Sequence, residues 1–246
     1  MLSRIGFFHF GRSYGYPVEE LVFALERKGK DAVGNSLIVL PEGFNIRTRH
    51  NNPTGPCDFN PSVLRTLRDV AKEWVVVFVA GLIIDTDKHV YPPYNAAYLI
   101  DGVSHKLICY KNGGDNSSVQ NCKQRSPHYT EHERPCDMNN PVLHSGVSIS
   151  VLICMDIDTL MNHNDERYKV LDNPSKTAND VVQIMCVPAS AGSSNFGGFP
   201  AKWPNHYFVV SDSGSRLQES FIARGPQPPL LCASGEENKI VLFDLR

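Results

Sequence analysis

Residues 36–42 read Ser-Leu-Ile-Val-Leu-Pro-Glu: four large aliphatic residues in a row, a proline, and at once a carboxylate. An apolar run this short, closed by Pro, is the pattern of a strand buried on both faces. Working upstream, residues 17–29 predict a helix, with Val18, Leu21, Val22 and Leu25 on one face and Pro17 in the first turn. Residues 4–10 predict a strand before it. Downstream, residues 62–73 place Val63, Leu64, Leu67, Val70 and Ala71 at helical spacing behind Pro61, and residues 75–84 form a second fully apolar run. Strand, helix, strand, helix, strand predicts an α/β layered fold. Beyond it the pattern changes. Residues 95–100 and 106–110 flank Asp101-Gly102, a hairpin-like turn, and strands are expected at 147–155, 181–187, 206–211, 219–223 and 239–245. Helices early and hairpins later predict a mixed sheet. Residues 112–141 and 159–178 are long polar stretches, and with no linker or repeat dividing the chain a single domain, 1–246, is expected.

Composition narrows the classes of function. Of 246 residues 41% are hydrophobic and 20% charged, ample for a core, and 24 Lys plus Arg against 26 Asp plus Glu leave a formal charge of −2. That balance offers no footprint for nucleic acid or an anionic membrane, so neither is expected as a partner. The longest apolar run, residues 74–84, falls short of the ~20 residues of a membrane span, and residues 1–5 do not open a secretory signal. Seven Cys, at 57, 109, 122, 136, 154, 186 and 232, follow no disulfide-framework spacing. A cytoplasmic protein with reduced thiols is expected.

Three chemically active residues close apolar strands. Glu42 follows Leu37-Ile38-Val39-Leu40-Pro41, Lys111 follows Leu107-Ile108-Cys109-Tyr110, and Cys154 follows Ser150-Val151-Leu152-Ile153. Loops at strand ends converge over a rigid support, where α/β proteins form their ligand crevices. Each residue alone has an ordinary explanation: a solvated loop acid, a surface cation, a small core filler. Together they match acyl transfer. A nearby ammonium favours the thiolate, a carboxylate takes the thiol proton and returns it to the leaving nitrogen, and the ammonium with a backbone N–H after the Cys holds the oxyanion.

The motifs around these residues, LIVLPEGFN (37–45), YNAAYLID (94–101) followed by Tyr110-Lys111, VLICMDI (151–157), VPAS (187–190) and YFVVSDS (207–213), resemble in order those of the nitrilase, or carbon–nitrogen hydrolase, superfamily. The resemblance runs from about residue 4 to residue 245. It implies an α/β fold of four-layer αββα type with mixed sheets, a small-molecule substrate, a homodimer or larger homo-oligomer, and no cofactor or metal. It implies Glu42 as general base, Lys111 as oxyanion stabiliser, Cys154 as nucleophile and a second carboxylate, assigned to Glu133 in His132-Glu133-Arg134 with Glu131 as competitor. Met155-Asp156, where nitrilases proper carry Trp-Glu, implies hydrolysis of a small linear amide or N-carbamoyl compound; nitrile hydrolysis, acyl transfer on the same triad and a catalytically silent scaffold are the alternatives. Departures from the family fall at Asp158, where an Arg is common, at the polar run 162–167, and at 191–204, whose Gly, Ser and Pro are unsuited to the helix usual there.

Other chemistries find less support. Cys122, His128, His132 and Cys136 are a chemically plausible zinc set, but their spacing matches no familiar finger and prolines flank it. Asp212-Ser213-Gly214 resembles a serine-protease turn without a G-x-S-x-G elbow, and no phosphate-binding glycine loop is present. Trp203 and the aromatic residues at 91–94 and 196–199 are candidate pocket walls or a partner surface.

Overall fold

A computed structural model describes residues 1–11, 17–46, 62–84, 94–111, 141–154, 181–189, 203–212, 220–225, 228–235 and 237–245. The elements run β1 (Arg4–His9), α1 (Pro17–Lys28), α2 (Lys30–Val33), β2 (Ser36–Leu40), a 3-10 turn (Phe44–Ile46), α3 (Ser62–Trp74), β3 (Val77–Ile84), β4 (Tyr94–Ile100) and β5 (His105–Tyr110). The second half adds β6 (Val142–His144), β7 (Val147–Val151), β8 (Val182–Pro188), β9 (His206–Ser211), β10 (Ser220–Arg224), β11 (Leu231–Ala233) and β12 (Lys239–Asp244).

Two six-stranded mixed sheets result, ordered β12-β1-β2-β3-β4-β5 and β11-β10-β9-β8-β7-β6. In the first, β1, β2 and β3 are parallel and β4, β5 and β12 antiparallel to their neighbours. In the second, β7, β8 and β9 are parallel and β6, β10 and β11 antiparallel. The sheets face each other: Phe7, Leu37, Val39, Val79 and Leu99 share one core with Ile149, Ile184, Val209 and Ile222. The alternate residues of the first sheet, Phe8, Ile38, Leu40, Phe78 and Tyr98, pack against Leu21 and Leu25 of α1 and Leu64, Leu67 and Trp74 of α3. Both faces of β2 are therefore dry, which is why residues 37–40 do not alternate. The architecture is the expected α/β sandwich of two mixed sheets, with the described helices on the outer face of the first; on the outer face of the second sheet Trp203 packs against Phe208, ring centroids 6.4 Å apart, and is buried, a core residue.

One expectation fails. Cys109, buried on β5, is disulfide-bonded, so the thiols are not uniformly reduced. Pairing depends on proximity in space, to which sequence spacing is blind, and the cytoplasmic expectation loses the support it drew from reduced thiols. Among the described residues no helix is long and apolar enough to cross a membrane.

Candidate active site

The topology brings five chain segments to one end of the sandwich. β2 runs toward it and ends just before Glu42; β4, antiparallel to β3, starts there with Asn95 as its second residue; β5, antiparallel to β4, ends there just before Lys111. From the facing sheet the ends of the parallel strands β7 and β8 bring Cys154 and Pro188-Ala189.

Each part of the stretch after β2 has a physical task. Pro41 has no N–H to extend the ladder. Glu42 donates its backbone N–H to Ala189 O at 3.2 Å, a bond between the two sheets. Gly43 takes φ 64°, open to glycine at little cost. Phe44 is buried edge-on against Phe8, with ring centroids 6.1 Å apart. Asn45 clips the turn to β3 with a reciprocal pair, Nδ2 to Ile83 O at 2.6 Å and Ile83 N–H to Oδ1 at 2.9 Å. The carboxylate of Glu42 is thus fixed by packing and backbone bonds on both sides.

That carboxylate is fully buried. Its Oε1 accepts two donors, Lys111 Nζ at 2.6 Å and Asn95 Nδ2 at 2.6 Å, and its carboxyl also hydrogen-bonds the Cys154 side chain. Burial pushes the Glu42 pKa up, but the Lys111 charge and these hydrogen bonds prevail and hold it below the ordinary carboxylate range. The Lys111 backbone N–H bonds Asn95 O at 2.9 Å, so one residue of β4 touches both members of the ion pair.

Cys154 is buried and adopts φ 47°, a left-handed conformation uncommon for a residue with a Cβ. Its N–H reaches Pro188 O at 2.9 Å and Leu152 N–H reaches Cys186 O at 3.1 Å, so the chain keeps its bonds to β8 while turning. Non-glycine residues forced into this region cluster where surrounding structure over-determines them, active sites above all.

Glu42 thus lies in contact with both Lys111 and Cys154. Glu133 and Glu131, the zinc set Cys122, His128, His132 and Cys136, Met155-Asp156 and Ser213 lie outside the described residues. Among the described residues no group of three or more His, Cys, Asp or Glu is placed to hold a metal ion. Sequence reading missed Asn95 and Gly81. Asn95 shares the inward face of β4 with Ala97 and Leu99, and a lone amide in that alternation was the available signal. Gly81 lies where a Cβ would stand 2.8 Å from Pro188 Cβ and 3.0 Å from Glu42 Cα, so its bareness lets the two sheets close at the site.

The sandwich and the cluster at its strand ends define a class of fold, that of the nitrilase or CN-hydrolase superfamily. Among solved structures the chain is similar to an amidase from Nesterenkonia sp., with TM-score 0.67, 15% identity, and 99% of this chain matched to 90% of that one. It is also similar to a branch 10 member of the nitrilase superfamily from Saccharomyces cerevisiae, with TM-score 0.65, 16% identity, and coverage of 99% and 89%. A CN-hydrolase superfamily protein from Xanthomonas campestris, with an arsenic adduct in its active site, matches with TM-score 0.66, 11% identity, and coverage of 99% and 90%. No family model and no curated protein matches the sequence, so the likeness is one of fold.

Proposed function

We propose that this chain is a carbon–nitrogen hydrolase of the nitrilase superfamily that cleaves a small linear amide or N-carbamoyl compound without metal or cofactor. The observation that carries the reading is the buried Glu42–Lys111 pair, 2.6 Å apart, hydrogen-bonded to a cysteine in a left-handed backbone. Cys154 Sγ attacks the substrate carbonyl carbon while Glu42 takes the thiol proton. The oxyanion of the tetrahedral intermediate faces the Lys111 ammonium. Glu42 returns the proton to the leaving nitrogen, the C–N bond breaks, and ammonia or an amine departs from a thioester on Cys154. Water, losing a proton to Glu42, adds to the thioester carbonyl; the thiolate leaves and regains that proton, and the acid is released. Glu133, with Glu131 as the other candidate, orients the substrate in this scheme.

Amides are favoured over nitriles by Asp156, the residue of the amidase and carbamoylase branches, and by the likeness to an amidase. A glutamate-to-glutamine variant of that amidase shows the result of Michael addition of acrylamide at its active-site cysteine, and acrylamide is accordingly a suitable probe of Cys154. The test is ammonia release over a panel of amides, N-carbamoyl compounds and nitriles, wild type beside Cys154→Ala. Turnover of amides or carbamoyl compounds, lost in the variant, is the expected result. Turnover of nitriles without matched amides overturns the substrate class, and no turnover with Cys154 inert to acrylamide overturns the enzyme in favour of a scaffold.

A further inference from the structure

Two donors to the carboxylate at the centre of the site share one oxygen. Lys111 Nζ and Asn95 Nδ2, each at 2.6 Å, converge on the same oxygen of Glu42, Oε1. Both donors favour the ionised carboxylate, because protonating that oxygen means displacing a charge-assisted hydrogen bond. We propose that Asn95 is a positioning residue for the base: it holds Glu42 through Oε1 and keeps the carboxylate ionised, ready to take the Cys154 proton. The proposal rests on the reading of Glu42 as general base.

Three features single out asparagine at this position. The site is dry, with Glu42 fully buried and Lys111 5% exposed, and a buried ion pair is tolerated only where further hydrogen bonds supplement it. A neutral donor supplies one without adding a charge. An aspartate of the same shape would offer no N–H and would set a second carboxylate against the first. The register fixes the reach: Asn95 pairs with Ile83 at the end of β3, next to the strand that delivers Glu42, while its own carbonyl takes the Lys111 backbone N–H at 2.9 Å. Asn95 therefore sets the carboxylate through its side chain and the ammonium-bearing residue through its backbone, and substitution of the side chain separates the two tasks.

Alkylation of Cys154 by iodoacetamide as a function of pH tests this without a known substrate. In the wild type the rate falls on the acid side as Glu42 is protonated, and Glu42→Gln abolishes that limb. Asn95→Ala is expected to move the limb to higher pH by about one unit, equivalent to about a tenfold change in the proton-binding constant of Glu42. Asn95→Asp is expected to move it further, although aspartate matches asparagine in shape. A residue needed only for packing gives the reverse order, with the isosteric Asp variant closer to wild type than Ala. Should Asn95→Ala fail to fold, judged by circular dichroism, the Asp variant carries the test. Wild-type limbs in both variants, or the packing order, overturn the role of Asn95. A wild-type profile that Glu42→Gln leaves unchanged overturns the reading of Glu42 as base, and the positioning role with it.

Discussion

Lys111 and Glu42 form a charge pair with almost no access to water, and a single truncation leaves a buried charge alone. Removing one partner of such a pair typically costs about 3–5 kcal/mol, whereas replacing both by neutral groups of similar size costs far less. Glu42→Gln and Lys111→Met are each expected to lower the urea midpoint sharply, and the double variant to recover most of the loss; additive losses in the cycle would show that the two residues are energetically independent. The pH dependence has a definite sign. The native pKa of Glu42 lies below its unfolded value, so the pair's contribution is complete above the ordinary carboxylate range and is lost as pH falls through the native value. Gly81 makes a steric prediction beside this electrostatic one. The atoms facing its missing side chain are a proline ring carbon at 2.8 Å and the Glu42 Cα at 3.0 Å, neither of which can rotate away. Gly81→Ala is expected to cost about 1–3 kcal/mol as an overpacked contact and to slow Cys154 alkylation by displacing Glu42, both readable on the same purified variant.

At the scale of elements, the C-terminus of α3 carries a removable strain. Val75 follows the helix with φ 55°, and the next N–H, of Val76, reaches back to Ala71 O at 3.0 Å, the long bond of a Schellman cap. A β-branched side chain suits that left-handed cap poorly, and Val75 is mostly exposed, so it has little burial to lose. Val75→Gly is expected to stabilise the protein by about 1 kcal/mol, a rise of roughly 2–4 °C in Tm for a chain of this size by calorimetry; a fall would show that the cap costs no more than the added backbone freedom. The same elements show what sequence makes legible. Strands buried on both faces announce themselves as unbroken apolar runs, and β2 and β9 begin and end at the expected residues. The edge strands β6 and β11, three residues each, carry no such run and exist because a neighbour pairs with them. The turn into β7 was readable in principle: Ser145 and Gly146 take φ 48° and 84°, the positive values a two-residue hairpin of the I′ type demands. β7 stops at Val151 rather than 155 because the chain must reach the left-handed position at Cys154. Glu42, Lys111 and Cys154 were legible because reactive residue types stood at strand ends. Asn95 and Gly81 were not, since their tasks follow from the antiparallel register of β3 and β4 and from the approach of the second sheet, which no local window contains.

Across the whole molecule the two sheets repeat one arrangement: β1–β5 and β7–β11 are each three parallel strands followed by an antiparallel pair, completed by β12 beside β1 and β6 beside β7. The ends of β2, β5 and β7 and the start of β4 form the candidate site. The ends of β11 and β1 and the start of β10, which correspond to those of β5, β7 and β4, form a second polar cluster, in which His9 meets Ser220 Oγ at 3.1 Å through Nδ1 and Gly235 O at 3.0 Å through Nε2. A carbonyl only accepts, so neutral His9 carries its proton on Nε2 toward Gly235, while the Ser220 hydroxyl also accepts the Asp212 N–H at 3.0 Å and lies 3.2 Å from Asp212 O. Backbone bonds join the two clusters, Glu42 N–H to Ala189 O and Ala189 N–H to Ser211 O, and Ser211 Oγ crosses to Phe8 O at 2.7 Å. One position thus carries reactive groups and its counterpart a bolt between sheets, built on a buried imidazole that burial favours in the neutral form. Burial lowers the His9 pKa, with the Gly235 bond and Glu237 opposing and Lys239 assisting; burial alone lowers that of His206, at the other end of β9, to about 4. Both native values lie below those of the unfolded chain, so between them the unfolded state binds the extra proton. Stability is therefore full above about pH 6.5 and declines on acidification through that window. For His206 the decline amounts to about 3 kcal/mol once both states have titrated. Urea midpoints between pH 7.5 and 4 are expected to fall less steeply in His206→Leu than in the wild type, leaving a residual slope that belongs to His9 and, at the acid end, to Glu42. Parallel slopes would mean that His206 takes up its proton without cost to the fold.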